Sequence, residues 1–261
     1  MAQQVSTLSL REKIAQGTLM KGSFVKMAGP SSVEIMGAVG FDFVVIDLEH
    51  GVFGNAATDT SLLAAKAAGI AAVIRVPSFE GDSIATALDA GATGILAPHI
   101  SSVADANALV GKCRYRGGRR GFSGVTRAGN YGGNRMWEHI DAADAAIGVI
   151  AMIEDPEALL VIDEILAVEG LDAVFVGRGD LTVAFNAPSR DSTCVVNAVD
   201  RILAAAKQHG KAVWLMVESA EEAADFAAKG ASSFIISSDQ SVLYRNCAKI
   251  SKEFDSLVSQ D

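Results

Sequence analysis

Charged side chains stand directly after several short apolar runs in this 261-residue chain. One apolar run, residues 44–46, is followed at once by Asp47, Glu49 and His50. Three further runs end in the same way, at Arg75, at Glu154 and, after a Gly-Arg-Gly step, at Asp180. Buried strands are apolar along their whole length, so charge at their C-terminal ends needs a separate reason. Polar groups at the carboxyl ends of several parallel strands are typical of a barrel active site.

The elements that must position these side chains appear as a repeat of one glycine and a short apolar segment. A glycine precedes each of residues 41–46, 70–74, 92–97, 171–176, 211–217 and 231–236. Segments with helical periodicity lie before most of these glycines, and a glycine just past a helix supplies its left-handed cap. With 19–27 and 148–153 there are eight candidate strands, followed by helices that begin near Ser31, Asn55, Asp82, Ser101, Pro156, Ser192, Ser219 and Asp239.

Eight strand–helix units predict an α/β fold, a (β/α)8 TIM barrel formed as a single domain by residues 1–261. An open, doubly wound sheet is the alternative, which the lack of a G-x-G-x-x-G motif after the first strand weakens. Two segments depart from the regular rhythm. Residues 113–140, rich in glycine and arginine, form a long connection that we interpret as an active-site loop. Residues 241–257 predict an amphipathic C-terminal helix that either closes the barrel or docks on a partner subunit.

The composition argues against several classes of function. The formal net charge of −9 disfavours nucleic acid and anionic membranes as partners. No apolar stretch approaches the roughly 18 residues of a membrane helix, and the first ten residues lack the pattern of a signal peptide. The three cysteines are isolated in the sequence, which favours a reducing compartment, so we expect a cytoplasmic protein that acts on small molecules.

Glu154 and Asp180 follow two strands that are neighbours in the predicted barrel. Two carboxylates there, with water and substrate oxygens, suit a hard divalent cation such as Mg²⁺ or Mn²⁺. The alternative is helix capping, since Asp155 and Pro156 open one helix and Asp180 could cap another.

His50 lies three positions after Asp47, whose carboxylate could hold the imidazole ring and set its tautomer and basicity. Arg75 ends an apolar strand, so its guanidinium must reach either an anionic ligand oxygen or a carboxylate, Glu49 or Asp47. His99 also falls on the catalytic face, with no nearby acid in the sequence. No lysine stands at a comparable strand end, which disfavours a Schiff-base mechanism.

Taken in order, these residues resemble the class II, metal-dependent pyruvate aldolases, the family of 4-hydroxy-2-oxoheptanedioate aldolase and 2-dehydro-3-deoxyglucarate aldolase. The resemblance runs from about Gly22 to Phe254 and implies a barrel of the phosphoenolpyruvate/pyruvate type. It is carried by residues 40–50, 75–77, 88–92, 120–121, 127–128, 153–154 and 176–181. Met152 departs from the pattern, since many relatives carry glutamine two residues before the metal-binding glutamate.

Carried over by position, the resemblance implies that Glu154 and Asp180 ligate the metal, Mg²⁺ or Mn²⁺ with Co²⁺ as a further alternative. The backbone amides of Gly179 and Asp180 would hold the pyruvate carboxylate, and Arg75 would contact the ketone oxygen.

The family pattern also implies that His50 and Asp47 form the acid/base dyad, acting through water. Asp89 resembles a residue that family members present across a subunit interface into the neighbouring site, although it also fits a polar residue near a helix end. The resemblance further implies a homo-oligomer, a hexamer built as a trimer of dimers with exchanged C-terminal helices.

The activity that the resemblance implies is that of a lyase of aromatic or sugar-acid catabolism. It would reversibly cleave 4-hydroxy-2-oxo acids to pyruvate, or a close 2-oxo acid, and an aldehyde through a metal-stabilised enolate. Two alternatives stay open: a lyase of the citryl- or malyl-CoA type on the same barrel, and a non-catalytic barrel that binds a keto acid.

Overall fold

The computed structural model describes residues 8–258, whose strands close into a parallel barrel. Each strand pairs with the next along the chain, and the last pairs with the first. The predicted TIM barrel is therefore confirmed, and each predicted strand overlaps an observed one. The strands are β1 (Met20–Val25), β2 (Phe43–Asp47), β3 (Ala71–Arg75), β4 (Gly94–Ala97), β5 (Gly148–Ile153), β6 (Ala173–Val176), β7 (Ala212–Met216) and β8 (Ser233–Ser238).

Helices surround the strands, and each of the eight expected starts lies within two residues of an observed one, although the element at Pro156 is a 3-10 helix and the helices Leu10–Ala15, Met136–Ala146, Ile162–Leu166 and Arg178–Ala184 were not expected. None of those within residues 8–258 is both long and apolar enough to cross a membrane. Two 3-10 helices occupy Asn130–Gly132 and Pro156–Val161. The α-helices are α1 (Leu10–Ala15), α2 (Ser31–Ala38), α3 (Asn55–Ala68), α4 (Ser83–Asp89), α5 (Val103–Cys113), α6 (Met136–Ala146), α7 (Ile162–Leu166), α8 (Arg178–Ala184), α9 (Thr193–Gln208), α10 (Ala220–Ala228) and α11 (Asp239–Val258).

Side chains along each strand alternate between the barrel interior and the surrounding helices, because successive residues of a strand point to opposite faces. In β2, Phe43 and Val45 point inward, whereas Val44 and Ile46 pack with the helices. One buried cluster fills the interior, and Trp214 lies in it with its ring centroid 4.5 Å from that of Phe43. The interior is thus a packed core up to the level where the polar side chains begin.

The short helix α1 closes the N-terminal end of the barrel. Leu10 and Ile14 belong to the interior cluster and are buried. A capping box between Ser9 and Glu12 starts this helix, since each side chain accepts the other's backbone N–H. The interior is therefore sealed at the end opposite to the carboxyl ends of the strands.

The C-terminal helix α11 leaves the barrel instead of covering it. It touches β1 and β8, but the side chains of Leu243, Ile250 and Phe254 are 52%, 54% and 67% exposed. An apolar groove of about 530 Å³ is lined by residues of β1, α10 and β8, among them Phe234 and Ile236, and by none of α11. Of the two interpretations of this helix, closure of its own barrel is therefore wrong.

Candidate active site

The inward-pointing positions of five strands continue one step beyond the apolar core. Counting by two from the interior residues of each strand reaches Lys26 after β1, Asp47 in β2, Arg75 in β3, Glu154 after β5 and Gly177 after β6. Strand periodicity therefore places four charged side chains and one glycine at the same end of the barrel. Lys26 was not among the site residues expected from the sequence, although it occupies the next inward position after Phe24.

The buried carboxylate of Asp47, at the end of β2, binds cationic side chains from both neighbouring strands, β1 and β3. Arg75 donates to it twice, from Nε to Oδ1 at 2.9 Å and from Nη2 to Oδ2 at 2.6 Å. The ammonium of Lys26 lies 3.3 Å from Oδ2. Asp47 and Arg75 are also register partners in the sheet. The salt bridge that was one of two expectations for Arg75 is thus present, and the expectation that no lysine stands at a strand end is wrong.

Glu49 completes the fixation of Arg75, with its Oε2 atom 3.1 Å from Nη1. Burial alone would raise the pKa of Asp47, but the hydrogen bonds and charge of Arg75, helped by the N–H of His50 and by Lys26, lower it. Arg75 has five N–H donors, and these carboxylates leave some of them free to face a ligand.

The contact between Asp47 and His50 differs from the expected dyad. Asp47 accepts the backbone N–H of His50 at 3.1 Å, and its oxygens are otherwise taken by Arg75, Lys26 and the N–H of Glu49. The imidazole points away, 58% exposed, with Nε2 3.8 Å from Glu49. Asp47 therefore fixes the backbone of His50 and not its ring, because two cations compete for the same carboxylate.

Glu154 and Asp180 both lie against Gly177, which has no side chain to separate them. A Cβ atom at Gly177 would lie 2.6 Å from the Cβ of Glu154 and 3.2 Å from Oδ2 of Asp180. Asp180 lies in the first turn of α8, and neither it nor Asp155 makes a side-chain capping hydrogen bond. The capping alternative is therefore not what these side chains do in the described structure.

The buried carboxylate of Glu154 is suited to bind a cation from solution. Its side chain is 3% exposed, and burial raises its pKa to about 7, with further contributions from the charges of Asp180 and Glu49 and opposition from His99. A divalent cation would offset this penalty, so the two carboxylates fit a metal ion. In residues 8–258 no group of three or more His, Cys, Asp or Glu side chains surrounds one metal position, so water and substrate would supply the other ligands.

His99 is closer to the carboxylates of Glu154 and Asp155 than its sequence neighbours indicated. Its backbone N–H donates to Oε1 of Glu154 at 2.8 Å, and its Nδ1 lies 3.1 Å from Oδ2 of Asp155. The residue adopts a left-handed conformation, with φ of 55°. The expectation that His99 has no acid nearby is therefore wrong. The acids, Glu154 and Asp155, directly follow β5, which pairs with β4 in the barrel.

A cleft of about 290 Å³ opens over these groups. It is lined by His50, Arg75, Met152, Gly179 and Asp180, among others. The expected pyruvate-binding amides and the expected base therefore share one cleft with Arg75 and with Asp180, one of the two expected metal ligands. Met152 lies against Arg75, with Sδ 4.0 Å from Nη1, so a thioether and not an amide faces the guanidinium.

Asp89 and residues 113–140 lie at the other end of the barrel. Asp89 ends α4, and its carboxylate accepts from Nη2 of Arg120 at 3.0 Å. Arg127 and Arg114 donate to carbonyls that precede β4 and β5. The interpretation of this segment as a loop over the active site of its own barrel is therefore wrong, because it connects the end of α5 to α6.

Residues 21–245 match the family described as HpcH/HpaI aldolase/citrate lyase. The chain belongs to this family. It is similar to 5-keto-4-deoxy-D-glucarate aldolase of Klebsiella pneumoniae, with 31% identity over 235 residues, 89% of this chain and 91% of the relative. It is 33% identical over 178 residues to hydroxypyruvate/pyruvate aldolase of Roseobacter denitrificans, 67% of this chain and 69% of the relative.

Among solved structures, citrate synthase SbnG aligns with a TM-score of 0.87 and 30% identity, over 99% of this chain and 100% of that chain. The aldolases among these relatives make or break a carbon–carbon bond. This HpcH/HpaI chain is accordingly an enzyme, a carbon–carbon lyase.

Replacing Asp47 with alanine should destabilise this HpcH/HpaI barrel by about 3–5 kcal/mol, since it leaves the guanidinium of Arg75 buried without its main partner. Because the pKa of Asp47 is lowered in the fold, this contribution is present near neutral pH and is lost as the pH falls through the lowered pKa. Urea denaturation at pH 7 measures it. Asp141→Ala is the matched control, because it breaks an exposed pair with Arg116. Equal stability of both variants would contradict the prediction.

Proposed function

We propose that this HpcH/HpaI protein is a divalent-metal-dependent aldolase that reversibly cleaves 4-hydroxy-2-oxo acids to pyruvate, or a close 2-oxo acid, and an aldehyde. The observation that carries the proposal is the position of Glu154 and Asp180 against Gly177, beside a cleft that Asp180 and Arg75 line. Glu154 and Asp180 would hold the cation. Oxygen ligands of this kind favour Mg²⁺ or Mn²⁺, with Co²⁺ as an alternative.

A bound divalent cation supplies electrostatic stabilisation to a substrate oxygen on which negative charge develops. The chain's own residues determine where that oxygen lies. Arg75 is held by Asp47 and Glu49, so its remaining N–H donors are fixed before the substrate arrives and would bind the ketone oxygen. The first turn of α8 leaves the N–H groups of Gly179 and Asp180 without partners inside the helix, and these would hold the carboxylate.

His50 is the group that would move the proton. Its imidazole lines the cleft and is largely exposed, so it can act through a water molecule. In the synthetic direction it would take a proton from the methyl group of pyruvate, and in cleavage it would take one from the C4 hydroxyl. Asp47 would be a positioning residue in both directions, since it fixes the backbone of His50 and the guanidinium of Arg75.

A second candidate function is carbon–carbon condensation of the citrate synthase type. It is favoured by the similarity to SbnG over 99% of this chain at 30% identity. A lyase that uses citryl- or malyl-CoA and a non-catalytic keto-acid binder are the remaining alternatives. Free aldehydes as acceptors would support the aldolase, acyl-CoA acceptors would support the CoA-type lyase, and absence of methyl exchange would indicate a binder.

Removal of the metal should abolish cleavage of a 4-hydroxy-2-oxo acid, and added Mg²⁺ or Mn²⁺ should restore it. Dialysis against EDTA and a coupled pyruvate assay measure this, and titration of Mn²⁺ followed by electron paramagnetic resonance measures binding directly. Glu154→Gln should weaken Mn²⁺ binding, because it removes one anionic ligand. Activity that survives EDTA, with substrate trapped on Lys26 by borohydride, would instead establish a Schiff-base enzyme.

His50→Ala should slow metal-dependent deuterium exchange into the pyruvate methyl group by roughly 10²–10⁴-fold, because proton transfer loses its base. Proton NMR of pyruvate in deuterated water follows the exchange. His209→Ala is the control, since that imidazole pairs with Asp163 on the helical side of the barrel. Exchange at the wild-type rate in the His50 variant would exclude the base role.

We also propose that the protein is a homo-oligomer, a hexamer in which α11 of one subunit covers the apolar groove of another. Two surfaces support this: the exposed apolar side chains of α11 and the groove beside β8 that its own helix leaves uncovered. In such an assembly Asp89, which lies far from its own cleft, would serve the cleft of a neighbouring subunit.

Leu243→Ser combined with Phe254→Ser should dissociate the oligomer, because the substitutions remove two of the apolar side chains with which α11 would fill the groove of the neighbouring subunit. Light scattering after size-exclusion chromatography gives the mass. Leu160→Ser is the matched control, since Leu160 is 79% exposed and lies on another element. A wild-type protein with the mass of one chain, or a double variant that keeps the wild-type mass, would contradict the exchange of helices.

A further inference from the structure

The backbone just beyond the end of β1 is fixed by Asp239, a residue that is distant from it in the sequence. β1 pairs with β2 as far as Val25, which lies opposite Ile46, so Lys26 and Met27 follow the last pair of that ladder. Asp239 is the first residue of α11. Its Oδ1 atom accepts the N–H of Lys26 at 2.9 Å, and its Oδ2 atom accepts the N–H of Met27 at 3.1 Å. One carboxylate therefore fixes the backbone of two successive residues.

Asp239 is buried in a position that suits a negative charge. The residue is 6% exposed, and its Oδ1 atom also accepts the N–H of Gln240 at 2.8 Å. The start of a long helix favours an anion, because the helix dipole places partial positive charge there. Hydrogen bonds to an ionised acceptor are roughly twice as strong as those between neutral groups. The contact with Lys26 is therefore a strong one.

The fixed backbone determines where the side chain of Lys26 lies. Lys26 occupies the next inward position after Phe24, so its side chain points into the barrel. Its ammonium lies 3.3 Å from Oδ2 of Asp47, the same oxygen that accepts from Nη2 of Arg75 at 2.6 Å. Two cations at one oxygen repel each other, and a lysine loses rotamer freedom when it is held in place. The hydrogen bond from Asp239 to the backbone of Lys26 offsets both penalties.

Lys26 also determines the net charge of the group that surrounds Arg75. Asp47 and Glu49 both contact its guanidinium, so two carboxylates face one arginine. With Lys26 the group contains two cations and two carboxylates and is neutral, whereas without Lys26 it carries one negative charge. A negative charge beside a substrate oxygen opposes the development of further negative charge on that oxygen. Lys26 therefore preserves the ability of Arg75 to stabilise an enolate.

We propose that Asp239 is a positioning residue of the active site. It holds the backbone of Lys26, and the ammonium of Lys26 balances the carboxylates that fix Arg75. The first residue of the C-terminal helix thus acts on the reaction through the end of β1, next to Ser238, which lines the cleft. This inference rests on the aldolase function proposed above.

Metal-dependent deuterium exchange into pyruvate tests the proposal, with kcat and KM determined separately. Asp239→Asn keeps the size of the side chain and a residue type suited to a helix start, but its NH₂ group faces one of the two backbone N–H groups. Asp239→Asn and Lys26→Met should each lower kcat by about 10- to 100-fold, the range typical of groups that orient a ligand-binding residue. KM should change little, because the amides of Gly179 and Asp180 that would bind the carboxylate are unaltered.

A double variant separates the positioning role from a merely structural one. If Asp239 acts through Lys26, then Asp239→Asn combined with Lys26→Met should have the kcat of Lys26→Met alone, because residues that share one interaction are not additive. Independent effects would multiply instead. Arg245→Met is the matched control and should keep the wild-type kcat. Arg245 also ties α11 to the sheet, but it does so through a hydrogen bond from Nη2 to Oγ of Ser237 at 2.9 Å.

A wild-type kcat in Asp239→Asn or in Lys26→Met, or multiplied losses in the double variant, would overturn the proposal. Circular dichroism checks that each variant is folded, and Asp239→Ser repeats the comparison if the asparagine variant is not. Exchange in the wild type with no effect of the variants contradicts only the role of Asp239. Absence of metal-dependent exchange in the wild type contradicts the aldolase function and, with it, this role.

Discussion

The buried carboxylate of Asp47 is the interaction on which the rest of the site depends. It is fully buried at the end of β2, and it binds cations from both neighbouring strands, Arg75 on one side and Lys26 on the other. A charge taken out of water is tolerated only when its partners and hydrogen bonds are in place. Because Asp47 holds Arg75 and Lys26, the ends of β1, β2 and β3 are fixed relative to one another. This arrangement directs the guanidinium of Arg75 into the cleft.

The carboxylates of Asp47 and Glu154, at the same end of the barrel, lie in opposite electrostatic environments. Asp47 has an excess of cationic partners, whereas Glu154 lies beside Asp180 and meets only the N–H and imidazole of His99. The pKa of Asp47 is lowered, and that of Glu154 is raised to about 7. Glu154, whose negative charge has fewer compensating partners, would therefore gain more from an added cation than Asp47, which agrees with the metal-ligand role proposed for it.

The sequence predicted the barrel well because glycine caps and apolar strands are local signals. It also brought Glu154 and Asp180 to one end, since the ends of parallel strands coincide. The sequence could not show which groups from different strands compete for the same carboxylate. Asp47 was expected to hold the ring of His50, but Lys26 reaches the same carboxylate. Strict counting by two along β1 would have found Lys26, whereas the position of His99 depends on how β4 lies beside β5.

Because α1 closes the N-terminal end of the barrel, the interior of the described structure opens towards solvent at the carboxyl ends of the strands. The side chain of Arg75 is 6% exposed, so it lies at the bottom of that opening. In the proposed reaction, a molecule bound against Arg75 would have to enter and leave by the same route as any second molecule bound above it.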